Sequence, residues 1–221
     1  MYLGLGEFMK NMRLDQTFSS ADLVAICDKL GLIDPDLKSI IEEFGYPPFW
    51  SRPNSFDSLV HIILEQQVSL ASALSAINQL RNYIGEVTPE KLLTLTDTEL
   101  KACYFSRQKT TYTRALAEAI VSKKLIMSEL ENCDNQAIHK QLVQIKGVGD
   151  WTIDVYLVFV LQRLDIFPIG DLAARNALKQ LKSLPTDTSH RSLLELAESW
   201  KPYRSVATML LWHYYLSLRK K

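Results

Sequence analysis

Apolar residues recur three and four positions apart along most of the chain, as at Phe56, Leu59, Val60 and Ile63 and again at Leu70, Leu74, Ile77 and Ile84. That spacing marks one face of a helix. No stretch sustains the period-two alternation of a half-buried strand. The pattern therefore predicts an all-α chain of about a dozen helices of ordinary length joined by short loops. Helix starts are signalled by Ser20 before ADLVAICDKL, by Thr88-Pro89 before EKLLTL, by Asp134 or Asn135 before QAIHKQLVQI and by Pro202 before YRSVATMLLWHYYLSL. Gly31, Gly85 and Gly147 read as stops. The piece Gly45-Tyr46-Pro47-Pro48-Phe49-Trp50-Ser51-Arg52-Pro53 cannot be helical throughout, so it separates an acidic N-terminal helical segment from the rest. Its aromatic residues fit either a surface or core cover.

Composition narrows the class. A chain of 221 residues with 47% hydrophobic and 23% charged residues is that of an ordinary globular protein. Its longest apolar stretch, Val155 to Leu161, falls far short of the roughly 20 residues of a membrane span, and the start MYLGLGEFMKNMRL lacks the layout of a secretory signal. A cytoplasmic location and no membrane partner are expected. Cys27, Cys103 and Cys133 are far apart, odd in number and form no CxxC pair, so they read as free thiols, and no metal held by side chains is expected. Net charge is zero, which argues against a general polyanion binder. The balance is uneven, however: residues 1–60 carry nine acids against five bases, whereas residues 101–124 carry six bases against the single acid Glu118.

The most informative stretch is Leu142-Val143-Gln144-Ile145-Lys146-Gly147-Val148-Gly149-Asp150-Trp151-Thr152. Two glycines one residue apart stand between a helix ending near Ile145 and a strongly apolar helix running from Asp150 to about Gln162, an αα-hairpin whose turn asks for backbone freedom at both positions. Such a turn presents successive N–H groups at a helix N-terminus, where a phosphate oxygen finds unpartnered donors and a favourable dipole. Lys146 adds a point charge. A plain helix C-cap followed by a second glycine for close packing explains the same residues. Further on, Phe167-Pro168-Ile169-Gly170-Asp171-Leu172-Ala173-Ala174-Arg175 places Asp171 before LAARNALKQL, where it reads as a helix N-cap. A carboxylate there has a second use, because the helix N-terminus stabilises negative charge.

The pattern IKGVGDWT followed by FPIGDLAAR resembles the helix-hairpin-helix DNA glycosylases, and most closely their DNA-3-methyladenine glycosylase II branch. The resemblance extends from Ser55 to Leu216 through LEQQVSLA, FSRQK and WKPYRS, whereas residues 1–54 match only loosely. It implies a two-lobed helical fold with residues 55–161 as a central lobe, residues 162–221 carrying the catalytic loop and C-terminal helices, and residues 1–54 packing with the latter. The active cleft is expected between the lobes, with Asp171 at its mouth.

The resemblance also implies a function, hydrolysis of the N-glycosidic bond of an alkylated purine everted from double-stranded DNA, by a nucleoid-associated enzyme with a monomer as the default state. A DNA-binding protein with the same hairpin and no catalysis is the alternative. Asp171 takes the catalytic position, stabilising the developing sugar cation or activating water. Trp151, Trp212 and Tyr156 fall on or beside pocket positions, where an electron-rich ring suits a cationic base; core packing explains both tryptophans equally well. Gly147, Val148, Gly149 and Lys146 take the phosphate grip. Gln67, with Ser69 beside it, takes the place of the wedge that fills the duplex, although a glutamine stands where an apolar residue is expected. The carbonyls of Val143, Ile145 and Val148 are implied to hold a monovalent cation; no other cofactor is required. Relatives that also cut the strand carry a lysine two residues after the second glycine. Trp151 stands there, so no lyase activity is expected. No cysteine follows Cys133, so no iron-sulfur cluster is expected either. The preferred lesion is open.

Overall fold

In a computed structural model of the chain, which describes residues 16–219, helices begin where a short polar side chain can accept from the exposed first turn. Ser19 precedes α1 (Ser20–Ile33), with the Asp22 carboxylate accepting from the Ser19 N–H at 2.9 Å. Asp34 caps α2 (Pro35–Phe44), Ser55 caps α3 (Phe56–Glu65) and Ser69 caps α4 (Leu70–Ile84). Thr88 before Pro89 opens α5 (Pro89–Thr94), and Thr96 with Glu99 opens α6 (Asp97–Ala102). Ser106 caps α7 (Arg107–Val121), a short α8 (Met127–Leu130) follows, and Asp134 caps α9 (Asn135–Leu142). Beyond the glycine turn lie α10 (Asp150–Phe159), α11 (Leu172–Leu181), α12 (His190–Ala197) and α13 (Arg204–Leu218). Each satisfied cap is worth about 1 kcal/mol. The described residues hold no β-strand; a single isolated bridge joins Thr17 to Arg163. None of their helices is long and apolar enough to cross a membrane. The MYLGLGEFMKNMRL start lies outside the described residues.

Several boundaries differ from the sequence expectation. Ser20 is the first residue of α1 and Ser19 its cap. Gly31 does not stop that helix: it is buried inside it, where an added Cβ would lie 3.4 Å from the Lys38 side chain. The last long helix starts at Arg204, two residues after Pro202. The helix before the glycine turn ends at Leu142 and the one after it at Phe159, both short of the expected limits. On α4, Leu70 and Leu74 are exposed, and the buried face is Ala73, Ala76, Ile77 and Leu80. Apolar size alone pointed to the wrong stripe, because alanines let this helix approach its neighbour closely.

The chain forms two compact units, Arg52–Leu161 and the remainder on either side of it. The first is built around α3, whose Phe56, Leu59, Val60, Ile62, Ile63 and Leu64 are all buried. It packs on α4, α7 and α10. Arg52 is fixed there by a two-pronged bond to Glu65 at 3.0 and 2.6 Å and lies over the Phe159 ring. The second unit is built around α13, buried continuously from Ser205 to Trp212 and in contact with α1, α2 and α11.

The second unit is stapled by Asp34, 6% exposed, which accepts from its own helix at the Asp36 N–H (3.0 Å), from Lys182 (2.6 Å) and from the indole of the fully buried Trp200 (2.8 Å). Burial pushes the Asp34 carboxyl up, but the bonds from Lys182, Trp200 and Asp36 outweigh it and leave the pKa below the ordinary 3.8. A depressed folded value stabilises the fold above the unfolded pKa, and this contribution is lost as pH falls through the folded value. Asp34→Ala is therefore expected to cost about 3 kcal/mol at pH 7. Its deficit in thermal melting should shrink on acidification below the ordinary carboxylate range; a pH-independent deficit would show that the charge of Asp34 plays no part.

Candidate functional site

The glycine turn is built by short hydrogen-bonded steps. Ile145 N–H donates to the Leu142 carbonyl and Val148 N–H to that of Ile145, both at 3.0 Å, before Gly149 opens α10 by accepting from Ile153 at 3.1 Å. Val148 is 4% exposed and anchors the turn in the core, while Lys146 and Gly149 are exposed. Only one of the two glycines is required by its backbone. Gly147 sits at φ +90°, where a Cβ would also come within 2.0 Å of the Tyr112 ring. Gly149 has φ −111°, open to any residue, and nothing lies within 4 Å of the position its Cβ would take. The expectation of freedom at both positions is corrected accordingly. The space beside Gly149 is therefore open. Among the described residues, no group accepts from the Gly147 and Gly149 amides. His139, which the sequence reading missed, ties α9 to α10 through a 2.8 Å bond from Nε2 to Asp150.

In the same unit α3 ends at a turn with Gln67 at φ +58°, and Gln67, Val68 and Ser69 are exposed. Ser69 also has a structural duty, its hydroxyl accepting from the Ser72 N–H at 3.1 Å. Trp151 is half-buried on the first turn of α10. Tyr156 is fully buried and its hydroxyl donates to Asn54 at 2.8 Å, so its expected place in a base pocket is corrected to one in the core. Its register one residue away from Val155, itself 2% exposed, aims it inward.

Asp171 belongs to the other unit. Its N–H donates to the Pro168 carbonyl at 2.8 Å, and its Oδ1 accepts from the Ala174 N–H at 2.7 Å, which makes it the N-cap of α11. The indole of Trp212, on α13, donates to that same oxygen at 2.9 Å. The carboxylate is 9% exposed, Trp212 8%. Trp212 is met edge-on by Trp50 at 6.5 Å, a contact with no sequence signal beyond an aromatic in the Pro-rich piece. The loop leading to Asp171 is pinned to the start of α13: Arg204 grips the Asp165 carboxylate at 2.7 and 3.0 Å, and the Ser205 hydroxyl accepts from Ile166 N–H at 2.9 Å and donates to the Arg163 carbonyl at 2.6 Å. These bonds explain the WKPYRS stretch as scaffold. No group of three or more His, Cys, Asp or Glu that could hold a metal occurs among the described residues.

The two glycines make opposite predictions. Gly147→Ala combines a left-handed backbone with a clash on Tyr112 and is expected to cost about 2–5 kcal/mol. Gly149→Ala should stay within about 0.5 kcal/mol of the unsubstituted protein. Denaturant melts of the two variants, run side by side, check this; equal losses would contradict the geometry.

Comparison with known proteins agrees with this arrangement. The family model described as HhH-GPD superfamily base excision DNA repair protein matches residues 60–202. A putative DNA-3-methyladenine glycosylase of Bacillus subtilis, YfjP, is 29% identical over 184 residues, covering 80% of this chain and 64% of that protein, so the chain spans less than two thirds of that relative. DNA-3-methyladenine glycosylase 1 of Schizosaccharomyces pombe is 29% identical over 187 residues, covering 81% of this chain and 82% of its own. The solved structure of the 3-methyladenine DNA glycosylase Mag1 from that yeast, in complex with abasic DNA, superposes with a TM-score of 0.79 at 28% identity, covering 85% of this chain and 95% of that one. The chain belongs to the HhH-GPD superfamily of base excision DNA repair proteins, whose all-helical fold it shares.

Proposed function

We propose that this chain is a monofunctional DNA glycosylase of the 3-methyladenine type, acting as a monomer on double-stranded DNA and hydrolysing the N-glycosidic bond of an alkylated purine. The observation that carries this reading is Asp171, a nearly buried carboxylate oriented by two neutral donors, the Ala174 N–H and the Trp212 indole. Cleaving the bond leaves positive charge on the sugar, and a fixed carboxylate stabilises that charge and can orient or deprotonate the attacking water. An alkylated purine is cationic and leaves readily, so a strong general acid opposite Asp171 is not needed. The base has to be everted first, which costs less for a damaged one. Trp212, whose indole already bonds Asp171, offers an electron-rich ring to the cation.

The hairpin supplies the grip. The free amides of Gly147 and Gly149 meet a phosphate, with Lys146 alongside. The carbonyls around the turn suit a monovalent cation: within the described residues no N–H donates to those of Val143 and Val148, and the Ile145 carbonyl takes one bond and keeps a second lone pair. Such a cation would add positive charge beside the phosphate. Gln67, with the exposed Val68 next to it, fills the space the everted base leaves. Trp151 occupies the position where a Schiff-base lysine would stand, so strand cleavage is not part of the reaction.

Asp171→Asn tests the reading directly. The Asn side-chain oxygen can still accept from Ala174 and Trp212, so melting temperature and duplex affinity should hold, while single-turnover release of 3-methyladenine from methylated DNA should fall on the order of a hundredfold or more. Release at the wild-type rate from a normally folded variant would leave a DNA-binding protein in which Asp171 is only a cap. The absence of lyase chemistry has its own check: borohydride added to the wild-type protein on abasic-site DNA should trap no covalent adduct, and a trapped adduct would refute it.

A further inference from the structure

Lys109, on α7, is 7% exposed, yet its ammonium meets neutral acceptors: the backbone carbonyls of Ile63 and Gln66 (the latter at 2.9 Å) and the side-chain oxygen of Gln66 at 3.2 Å. A buried charge normally takes a carboxylate partner, and burying one against carbonyls is costly; burial pushes the Lys109 ammonium down to a pKa of about 8. What the cation does there follows from where the acceptors are. They lie at the end of α3, where the helix dipole is negative and, among the described residues, the Ile63 carbonyl takes from the backbone only the long 3.3 Å bond of the Gln66 N–H. Directly beyond them the chain turns through the left-handed Gln67 into the exposed residues Val68 and Ser69. Lys109 thus caps α3 and sets the direction in which the 67–69 turn leaves it.

The second half of the link is the Gln66 amide. An ammonium can only donate, so it requires the oxygen of the amide to face it and the NH2 to face away. That NH2 donates to the Gly147 carbonyl and to the Thr152 hydroxyl, both at 2.8 Å. Gly147 is the left-handed residue of the hairpin and Thr152, 1% exposed, lies on the first turn of α10, so the amide spans the glycine turn on both sides. A reversed amide would set NH2 against NH3+ and oxygen against the Gly147 carbonyl, and only the Thr152 hydroxyl could adapt by donating.

We infer that Lys109 and Gln66 are a pair of positioning residues that lock the 67–69 turn to the glycine hairpin, so that the hairpin's hold on a phosphate is converted into insertion of the turn and eversion of the base. This rests on the glycosylase reading above. Neither residue touches the reacting atoms; their effect is on the step between binding and chemistry.

The full chain carrying Lys109→Met or Gln66→Met is compared with wild type in four measurements: thermal melting, affinity for undamaged duplex, fluorescence of a 2-aminopurine placed beside an abasic analogue, and single-turnover release of 3-methyladenine. Gln66→Met keeps the two backbone contacts of Lys109 and removes only the bridge, so it tests the link even if Lys109→Met folds poorly. Affinity for undamaged duplex should change by less than about threefold, because the hairpin itself is intact, while the unstacking signal and the release rate fall by about tenfold or more. The double variant should lose little beyond either single one, as members of one link do. Leu116→Ala, a fully buried leucine of the same helix, should lower the melting temperature without lowering the unstacking signal. Unchanged unstacking and release in both methionine variants, or an equal loss in Leu116→Ala, would overturn the inference while leaving the glycosylase reading in place. A wild-type protein that releases no base would sink both.

Discussion

The hydrogen bond from the Trp212 indole to Asp171 is the contact around which its unit is organised. In the glycosylase reading proposed above this carboxylate faces the developing sugar cation, and the indole and amide N–H groups set its direction. The indole reaches Asp171 from α13, the most deeply buried helix of the unit, and the Ala174 amide reaches it from the first turn of α11. Two rigid helices therefore fix one oxygen. The same α13 holds the approach to Asp171 from its other end, through Arg204 and Ser205, so both the loop and the side chain it delivers are referenced to one element. The ion pair of Arg204 with Asp165 holds this loop six residues before Asp171.

How much of this was legible in the sequence depended on whether the relevant signal was local. Caps at Thr88, Asp134 and Asp171 were readable because one side chain and the next turn of backbone decide them. Gly31 was misread as a stop because a glycine inside a helix looks the same in sequence as one after it; the difference is made by Lys38, on another helix. The stripe on α4 was read correctly at Ile77 but misread at Leu70 and Leu74, because two of the four buried positions are Ala73 and Ala76, and which face is buried is settled by the neighbouring helix. Tyr156 was assigned to a base pocket because it stands one residue from a position where related enzymes carry a ring, while its hydroxyl partner Asn54 lies 102 positions away. Of the site, Asp171 and Trp212 were both singled out, but for separate duties. That one donates to the other is a matter of two helices meeting 41 residues apart in the chain, and no spacing rule reports it.

Charge is where sequence counting and structure diverge furthest. The basic excess of residues 101–124 suggests a polyanion-binding face, yet two of its six cations are committed inside the fold. Lys109 is buried against carbonyls, and Arg114 bonds the Leu95 carbonyl at 2.8 Å and the Asp97 carboxylate at 2.5 Å. Lys101, Arg107, Lys123 and Lys124 are left exposed. The grip of backbone amides proposed for the hairpin would let a chain of zero net charge hold DNA: amide dipoles carry no formal charge, so they do not register in a count of lysines and arginines. They have a second advantage at this site. An array of mobile lysines attracts phosphate from many directions, whereas in the proposed grip two amides, fixed by the left-handed turn at Gly147 and the buried anchor Val148, would donate to it from one direction only. Under the glycosylase reading proposed above, direction is worth more than strength, and a modest grip lets the protein leave undamaged DNA and continue its search.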